Sequence, residues 1–200
     1  MEAGLQEAFG GGRYLMAATY FHNLFRDMIE FSFNSTTFLG QYVNVNRALA
    51  HGAEIEFHAR PSGFDERLRF DAAYTYTSTQ ILRAPFATDP LLSAGAPLIR
   101  RPRHSANTLL SYSAPRWGGE TGASYIGRRA DSDFLGLVPS VTHAPGYALV
   151  NAGAWLTVSH HVTAYANLEN LLNRSYEEAA GYPGLPVNIR AGLRFRLGGE

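Results

Sequence analysis

Apolar and polar side chains alternate with a period of two residues along most of the sequence. Towards the C-terminus, one parity carries the apolar residues Val162, Ala164, Ala166 and Leu168, and then Ile189, Ala191, Leu193, Phe195 and Leu197. The other parity carries polar residues such as Asn167, Arg190 and Arg194. This period is typical of a β-strand with one apolar and one polar face. The Gly-Tyr-Pro-Gly sequence at 181–184 separates the two runs and predicts a hairpin loop.

The same alternation recurs upstream. The apolar rows are Ala53, Ile55, Phe57 and Ala59; Leu68, Phe70, Ala72, Tyr74 and Tyr76; and Ala148, Val150, Ala152, Ala154, Leu156 and Val158. Within residues 14–33 the apolar parity switches, and we expect a bulge near residues 23–25 to cause the switch. Residues 167–178 could form a helix, but they lack a capping signal, so a strand is favoured.

The connections between these runs alternate along the chain between short and mostly longer. The short ones are 8–12, 61–65, 114–118 and 159–161; the longer ones are 34–40, 85–97, 134–145 and 181–186. The strands predicted between them are a hairpin of two within 13–61, then 66–84, 98–114, 117–133, 146–159, 162–178 and 187–197, after a stump at 1–7. Alternate connections of an up-and-down meander lie at the same end, so one end is tightly turned.

Strand length indicates the environment of this sheet. Strands of soluble proteins usually have about 5–6 residues, whereas a tilted membrane-spanning strand needs about 9–11. The pattern therefore predicts an all-β, antiparallel, up-and-down transmembrane β-barrel meander of about eight long strands. Apolar rows would face lipid and polar rows a wet interior. A soluble β-sandwich is the alternative, but the strand lengths and the alternating connections favour the barrel.

Composition excludes other classes of protein. The chain has 17 basic and 17 acidic residues, and this balance argues against a nucleic-acid partner. It has no cysteine, so disulfides and thiolate metal sites are excluded. No apolar run is long enough for a transmembrane helix. The sequence after Met1 lacks the basic and apolar regions of a signal peptide.

Polar side chains form two groups with possible chemistry. Glu54, Glu56 and His58 share a face with Arg60, and carboxylate with imidazole suits several metal ions. Residues two apart diverge along a flat wall, so a solvated interior wall is favoured. A second group, Arg190, Arg194 and Arg196, could attract an anionic chelate or pair with Glu169 across the last hairpin; pairing is favoured because water-exposed ion pairs are common.

Other residues indicate surroundings rather than chemistry. We expect His160 and His161 to form a polar turn. Tyrosines that could line the membrane interfaces are Tyr14, Tyr20, Tyr74, Tyr76, Tyr112, Tyr125 and Tyr147. The glycines at 10–12 form a turn with no helix after it to bind phosphate. No catalytic, cofactor-binding or metal-binding residue is predicted, no cofactor is expected, and ligand-binding residues are not assignable.

Four stretches resemble one family. YFHNLFRDMIEF (20–31), QYVNVNRALAHGAEIEFHARP (41–61), PLIRRPRHSANTLLSY (97–112) and NLENLLNRSYEEAAGYPGLPVNIRAGLRFRL (167–197) are similar to the C-terminal barrel strands of TonB-dependent outer-membrane receptors. The second stretch carries the family's spaced Asn, Ala, Gly and two Glu residues at Asn44, Ala48, Gly52, Glu54 and Glu56. The family's closing aromatic residue would be Phe195, but five more residues follow it here.

The resemblance implies a function. Residues 1–200 would be one partial barrel domain, without the plug and the first half of the barrel, in the outer membrane of a Gram-negative-type envelope. The intact receptor would take up a scarce nutrient, such as a ferric siderophore or cobalamin, and would not be an enzyme. Its partners would be membrane lipid, a small-molecule ligand and, through the N-terminal part, the inner-membrane TonB complex. Loops 85–97, 134–145 and 181–186 would face the ligand, whose identity the sequence does not reveal.

An alternative comes from another class of protein. A small, closed, eight-stranded outer-membrane barrel with a structural or enzymatic role would also use an even number of long strands. Its first and last strands could pair antiparallel, and side chains would fill its interior.

Overall fold

The computed structural model describes residues 1–34, 37–84, 92–132 and 142–197. Within these ranges the chain is built of strands and their connections, and no helix is long and apolar enough to cross a membrane. The strands are β1 (Glu2–Phe9), β2 (Tyr14–Asn34), β3 (Leu39–Ala59), β4 (Leu68–Arg83), β5 (His104–Ser113), β6 (Trp117–Ile126), β7 (Arg129–Asp131), β8 (Thr142–Ala144), β9 (Tyr147–Ser159), β10 (Val162–Glu169), β11 (Glu177–Ala179), β12 (Tyr182–Pro183) and β13 (Asn188–Phe195).

Nine of these strands form one antiparallel sheet in the order β1-β2-β3-β4-β5-β6-β9-β10-β13. Each strand of this sheet pairs with the sheet strands that come before and after it in the sequence, and this order confirms the predicted up-and-down meander. Two ribbons, β7-β8 and β11-β12, belong to the connections at the end with the longer loops. The sheet is open, with β1 and β13 as its edges. The predicted stump is the full strand β1, so the described sheet has one strand more than expected.

Several predicted strand boundaries were wrong. The strand expected at 162–178 ends at Glu169, where Asn170 takes a positive φ of 50° and starts a turn. The strand expected at 117–133 is divided into β6 and β7. β5 starts at His104 instead of residue 98, although Ile81 of β4 still exchanges backbone hydrogen bonds with Gly95 and Ala96.

The change of apolar parity in β2 arises differently from the prediction. The pairing of β2 with β3 keeps one register from Tyr14 opposite Ala59 to Asn34 opposite Leu39, so the bulge expected at 23–25 was wrong. Asp27 instead has a φ of 53°, in the left-handed region, and interrupts the alternation there. A register shift occurs one strand further on, opposite the junction of Arg47 and Ala48.

The sheet has two chemically different faces. The outer face carries the predicted apolar rows, and the register aligns them across strands, as in Ala154 opposite Ala166 opposite Ala191. Its large side chains are exposed: Leu156 by 51%, Ile189 by 65% and Leu193 by 57%. An exposed apolar surface of this size indicates contact with lipid or another protein. The inner face carries polar residues and lines open cavities.

A cluster of buried apolar residues lies on the inner face at the long-loop end. Val45, Ala48, Ile81 and Leu92 are at most 5% exposed and form one cluster. The segment from Leu92 to Ile99 packs against β3 and β4 here, and the Leu98 amide donates a 3.1 Å hydrogen bond to the Thr79 hydroxyl. This packing fixes the base of one long connection.

Candidate functional site

A buried carboxylate joins three connections at the long-loop end. Asp131, the last residue of β7, is fully buried. Its Oδ1 accepts hydrogen bonds from Arg100 Nε and the Ser132 amide, both 2.8 Å, and its Oδ2 accepts one from the Ala180 amide at 2.8 Å. The β4–β5 connection, the β6–β9 connection and the last hairpin therefore meet at one side chain. We call this arrangement, with Arg129 and its contacts, the loop junction.

The loop junction keeps Asp131 ionised. Burial by itself would raise the pKa of Asp131, but the Arg100 guanidinium and the amides of Ala180 and Ser132 together outweigh it and hold the pKa below the ordinary 3.8. A carboxylate with these donors is charged at neutral pH. It can therefore hold the loops together by charge-assisted hydrogen bonds.

Arg129 forms the second half of the loop junction. Its side chain is 5% exposed, and its Nη2 donates to the carbonyl oxygens of Glu177 and Glu178 at 2.7 and 2.6 Å. The guanidinium lies 5.5 Å from the centre of the Tyr147 ring, which stacks on Tyr176 at 4.7 Å. Nη1 is buried and has no hydrogen-bond partner in the described part of the chain. These contacts fasten β11 over the start of β9.

Asn170 shapes the last hairpin. Its Nδ2 donates to the carbonyl oxygens of Arg174 and Leu185, each at 2.9 Å, and its Oδ1 accepts from the Arg174 amide at 2.8 Å. The Asn170 amide donates to Asn151 Oδ1 of β9 at 2.9 Å. Because Asn170 is only 3% exposed, these bonds are shielded from water and define the hairpin conformation.

The predicted ligand-facing loops are described in part. The hairpin at 181–186 is described completely and lies beside the loop junction. Of the other two loops, residues 85–91 and 133–141 lie outside the described residues. The residues next to these gaps, Leu92 and Ser132, are buried. The three loops thus start from a fixed base, and which of their residues contact a ligand stays a prediction.

The inner wall near the last hairpin contains the expected ion pair. Arg190 Nη2 pairs with Glu169 Oε1 across β10 and β13, and Asn188 Nδ2 reaches Glu169 Oε2 at 3.3 Å. Arg194 lies over the Tyr165 ring, 5.9 Å from its centre, instead of on a carboxylate. The backbone amide of Arg196 donates a hydrogen bond to the carbonyl oxygen of His161. Among the contacts of the described residues, wall pairing is confirmed for Arg190 and not for Arg194 or Arg196.

Aromatic rings lie flat on the inner wall over glycines. A Cβ at Gly118 would be 2.7 Å from the Trp155 ring on the neighbouring strand, and one at Gly192 would be 2.8 Å from the Tyr165 hydroxyl. Both rings border a cavity of about 610 Å³ on the inner face, which Glu120 and Arg194 also line. The glycines let large side chains pack against the wall.

The acidic group of β3 takes part in a cross-strand network. His58 Nδ1 lies 2.6 Å from Asp71 Oδ1, and Glu56 is 3.9 Å from the same imidazole. Arg69 Nε donates to the other oxygen of Asp71 at 2.7 Å. Within the described ranges, no group of at least three His, Cys, Asp or Glu side chains could hold a metal ion. Sequence reasoning missed Asp71 because only the strand register places it opposite His58.

Outward-facing aromatic residues form two belts. The belt nearest the short turns contains Phe9, Tyr14, Phe57, Phe70, Tyr112 and Trp117, with ring contacts of 4.9–6.5 Å. The belt nearest the long loops contains Tyr20, Tyr74, Tyr76, His104 and Tyr125. Tyr147 is the exception among the predicted girdle tyrosines, because it belongs to the loop junction. Its parity differs from the apolar row of β9, which was a signal present in the sequence.

The sheet is an antiparallel meander with tight turns at one end. Its inner face is polar, and its outer face exposes apolar side chains between two aromatic belts. These features define the wall of an outer-membrane β-barrel. A family model described as "TonB dependent receptor-like, beta-barrel" matches residues 1–171, and the chain belongs to this family. Membership places it in the outer membrane of a Gram-negative envelope.

Individual relatives agree with the family model. The metal-pseudopaline receptor CntO of Pseudomonas aeruginosa is 26% identical over 203 residues, which cover 96% of this chain and 26% of CntO. The vitamin B12 transporter BtuB of Vibrio cholerae is 32% identical over 93 residues, 46% of this chain and 15% of BtuB. The solved structure of the ferric-catecholate import receptor Fiu from E. coli K12 has a TM-score of 0.72 at 20% identity, over 97% of this chain and 27% of Fiu.

The matches cover only part of each relative. The chain spans between 15% and 27% of the length of these relatives. The relatives are receptors and transporters, in agreement with the expectation that the protein is not an enzyme. The family binds small-molecule ligands such as siderophores and interacts with TonB.

Proposed function

We propose that the chain forms nine neighbouring wall strands of an outer-membrane receptor for the energy-dependent uptake of a scarce nutrient, such as a ferric siderophore or cobalamin. The observation that carries this proposal is the loop junction. A solvent-exposed loop needs no buried carboxylate to stay folded, whereas a ligand-binding loop must be held in position. Asp131 ties three connections together at the end where the predicted ligand-facing loops lie.

The orientation follows from the two ends of the sheet. Outer-membrane barrels have short periplasmic turns and longer extracellular loops. The turns near residues 61–63, 114–117 and 159–161 would then be periplasmic, and the loop junction extracellular. Coupling to the TonB complex would occur through a part of the receptor other than these wall strands.

The strand number argues against the small closed barrel. In a nine-stranded antiparallel meander, β1 and β13 run in the same direction, so they cannot pair antiparallel. Closure between β2 and β13 would displace β1, which pairs with β2 along its whole length from Glu2 to Phe9. The inner wall also holds an open cavity of about 610 Å³, whereas an eight-stranded barrel is filled by side chains.

Uptake measurements test the proposal. The longer receptor containing this chain would be expressed in a strain that lacks its own receptors, and uptake of radiolabelled ferric siderophores and cobalamin would be measured with and without TonB. We expect TonB-dependent uptake of at least one ligand. An Asp131→Asn variant should bind this ligand more weakly, whereas Asp65→Asn, at an exposed short turn, should not change binding. Uptake that continues without TonB would contradict the proposal.

A further inference from the structure

The strand register brings three arginines side by side. Arg26 of β2 lies opposite Arg47 of β3, and Arg47 lies opposite Arg83 of β4. All three are exposed. Cβ atoms of directly opposite residues are about 4.5–5.5 Å apart, so the three side chains form one transverse row. We call it the arginine row.

The arginine row lies on the outer face. Arg26 shares the outward parity of Tyr20 and Leu24, because it precedes the switch at Asp27. Arg47 lies directly opposite Arg26, and its neighbour Ala48 is buried in the inner-face cluster, so Arg47 also points outward. The register shift leaves Leu82 without an opposite residue, so Arg83 pairs with Arg47 on the same face. Leu82, beside the row, is 41% exposed.

Within the part of the chain that the structure describes, none of the three arginines has a side-chain partner. In the described ranges, Arg26, Arg47 and Arg83 make no ion pair or side-chain hydrogen bond. The carboxylates nearest along β2, Asp27 and Glu30, pair with none of them. Like charges directly opposite each other destabilise a sheet. The row is therefore stabilised when an external anion binds across it.

The position of the arginine row along the strands indicates which anions its side chains can reach. The arginine row lies beyond Tyr20 and Tyr76, which belong to the aromatic belt nearest the long loops, and it is on the long-loop side of that belt. Leu24 and Leu49, which are opposite each other, lie between the belt and the row on the same face, and Leu24 is 44% exposed. His22, opposite His51, lies in the same interval, so the surface between the belt and the arginines carries both apolar and polar side chains. Arginine side chains at such an edge lie along the apolar surface and present their charges at headgroup level.

We propose that the arginine row binds the phosphate groups of a phosphorylated glycolipid headgroup in the surrounding leaflet. Guanidinium groups bind phosphate oxygens in a bidentate manner, and neighbouring guanidinium groups can share one headgroup. The proposal rests on the proposed function in placing the outer face in lipid and the long-loop end at the extracellular side. It assigns to the barrel wall a lipid site that is separate from the loop junction.

Binding to a defined lipid tests this assignment. The purified longer receptor would be reconstituted in phosphatidylcholine nanodiscs that contain a bisphosphorylated diglucosamine lipid or its dephosphorylated form, and bound glycolipid would be counted by native mass spectrometry. The test variant is R26Q/R47Q/R83Q. The matched control R13Q/R60Q/R116Q removes the same charge from exposed arginines at the short-turn end.

We expect the test variant to bind the phosphorylated lipid on the order of a hundredfold more weakly, or about fivefold for each arginine. The control should change affinity by less than about twofold, which is small beside the fivefold expected per arginine. The dephosphorylated lipid should bind the unaltered receptor as weakly as the phosphorylated lipid binds the test variant. Equal affinity of the test variant and the unaltered receptor, or an equal loss in the control, would overturn the proposal.

Two further measurements keep the outcome clear. If the test variant does not assemble, the unaltered receptor decides, because raising the salt to about 1 M should release the phosphorylated lipid and leave the dephosphorylated lipid unchanged. Salt-independent retention would overturn the assignment. Displacement by inorganic pyrophosphate at equal concentration would show a soluble-anion site and would also overturn it. Lipid binding is measured without uptake, so its failure is distinguishable from failure of the proposed function.

Discussion

Asp131 Oδ1 lies 2.8 Å from Arg100 Nε, and this contact joins two loops that are far apart in the sequence. The carboxylate is fully buried, whereas the arginine side chain remains 40% exposed. A pair of this kind positions loops more than it stabilises a barrel, because the sheet itself has a continuous hydrogen-bonded register beneath it.

Asp131→Asn should loosen the last hairpin without disturbing the sheet. Loss of a fully buried charge partner costs about 3–5 kcal/mol, and the partial exposure of Arg100 reduces this to about 2 kcal/mol. Hydrogen exchange should accelerate around residues 177–183 and stay unchanged in β9 and β10. Asp65→Asn, which removes an exposed partner of Arg67, is the control and should change neither.

The loop junction should also weaken in acid. The pKa of Asp131 is lowered on folding, so its stabilisation is fully present above the ordinary value of 3.8 and is lost as the pH falls through the lower folded pKa. Exchange of the Ala180 amide, corrected for its intrinsic rate, should rise below this pH. In Asp131→Asn the same amide should exchange fast at all pH values. A protected Ala180 amide in that variant would show that the carboxylate is dispensable.

Cysteine scanning should separate the two faces of the sheet. Residues 1–200 contain no cysteine, so a single substitution introduces the one thiol of this part of the receptor. Cysteines at Ala152, Leu156 and Leu193 should react with a membrane-soluble reagent. Cysteines at Arg190 and Arg194 should react with a water-soluble one. Reaction of the first group with the water-soluble reagent would reverse the facing.

Epitope tags should establish the orientation. A tag inserted at Ser62, in the turn between β3 and β4, should be inaccessible to antibody on intact cells. A tag at Gly184, in the last hairpin, should be detected there. Detection of Ser62 at the cell surface would invert the proposed orientation.

Residues 1–200 expressed alone, with a signal sequence, should not restore uptake. Each unpaired backbone group in lipid costs several kcal/mol, and β1 and β13 run in the same direction, so antiparallel pairing between them cannot close the sheet. We expect aggregation or pairing with other chains. Growth of a receptor-deficient strain on a ferric siderophore or cobalamin is the measurement, with the longer receptor as the positive control. Uptake by the isolated chain would refute this prediction.

The sequence predicted the sheet better than it predicted the contacts between loops. Period-two alternation depends only on which side chains face lipid, and it correctly placed residues such as Leu156 and Ile189 on the outer face. It could not locate the residue at which the apolar face of β2 switches parity. The switch comes from the left-handed backbone conformation of Asp27, and no bulge or register change accompanies it. The strand expected to continue to residue 178 ends at Glu169, and the side chain of the next residue, Asn170, forms the hydrogen bonds of a local turn.

The loop junction was not predicted, for a physical reason. Asp131, Arg100 and Ala180 come from three separate connections, and their contact depends on how the sheet curves. The pairing of Arg190 with Glu169 was predicted because both flank one hairpin, where the register follows from the turn. Predicting the arginine row would have required the register of β2 with β3 and that of β3 with β4, together with the register shift at Leu82.

The rings that lie flat over Gly118 and Gly192 have a consequence for permeation. A Trp or Tyr standing upright on the wall would project by about the width of a ring into the lumen, and every such projection narrows the cross-section open to a solute. Here the neighbouring glycines leave space for Trp155 and Tyr165 to lie against the strands. At these two positions the wall is therefore smooth on the scale of a small molecule, and a solute beside it would meet aromatic faces instead of ring edges.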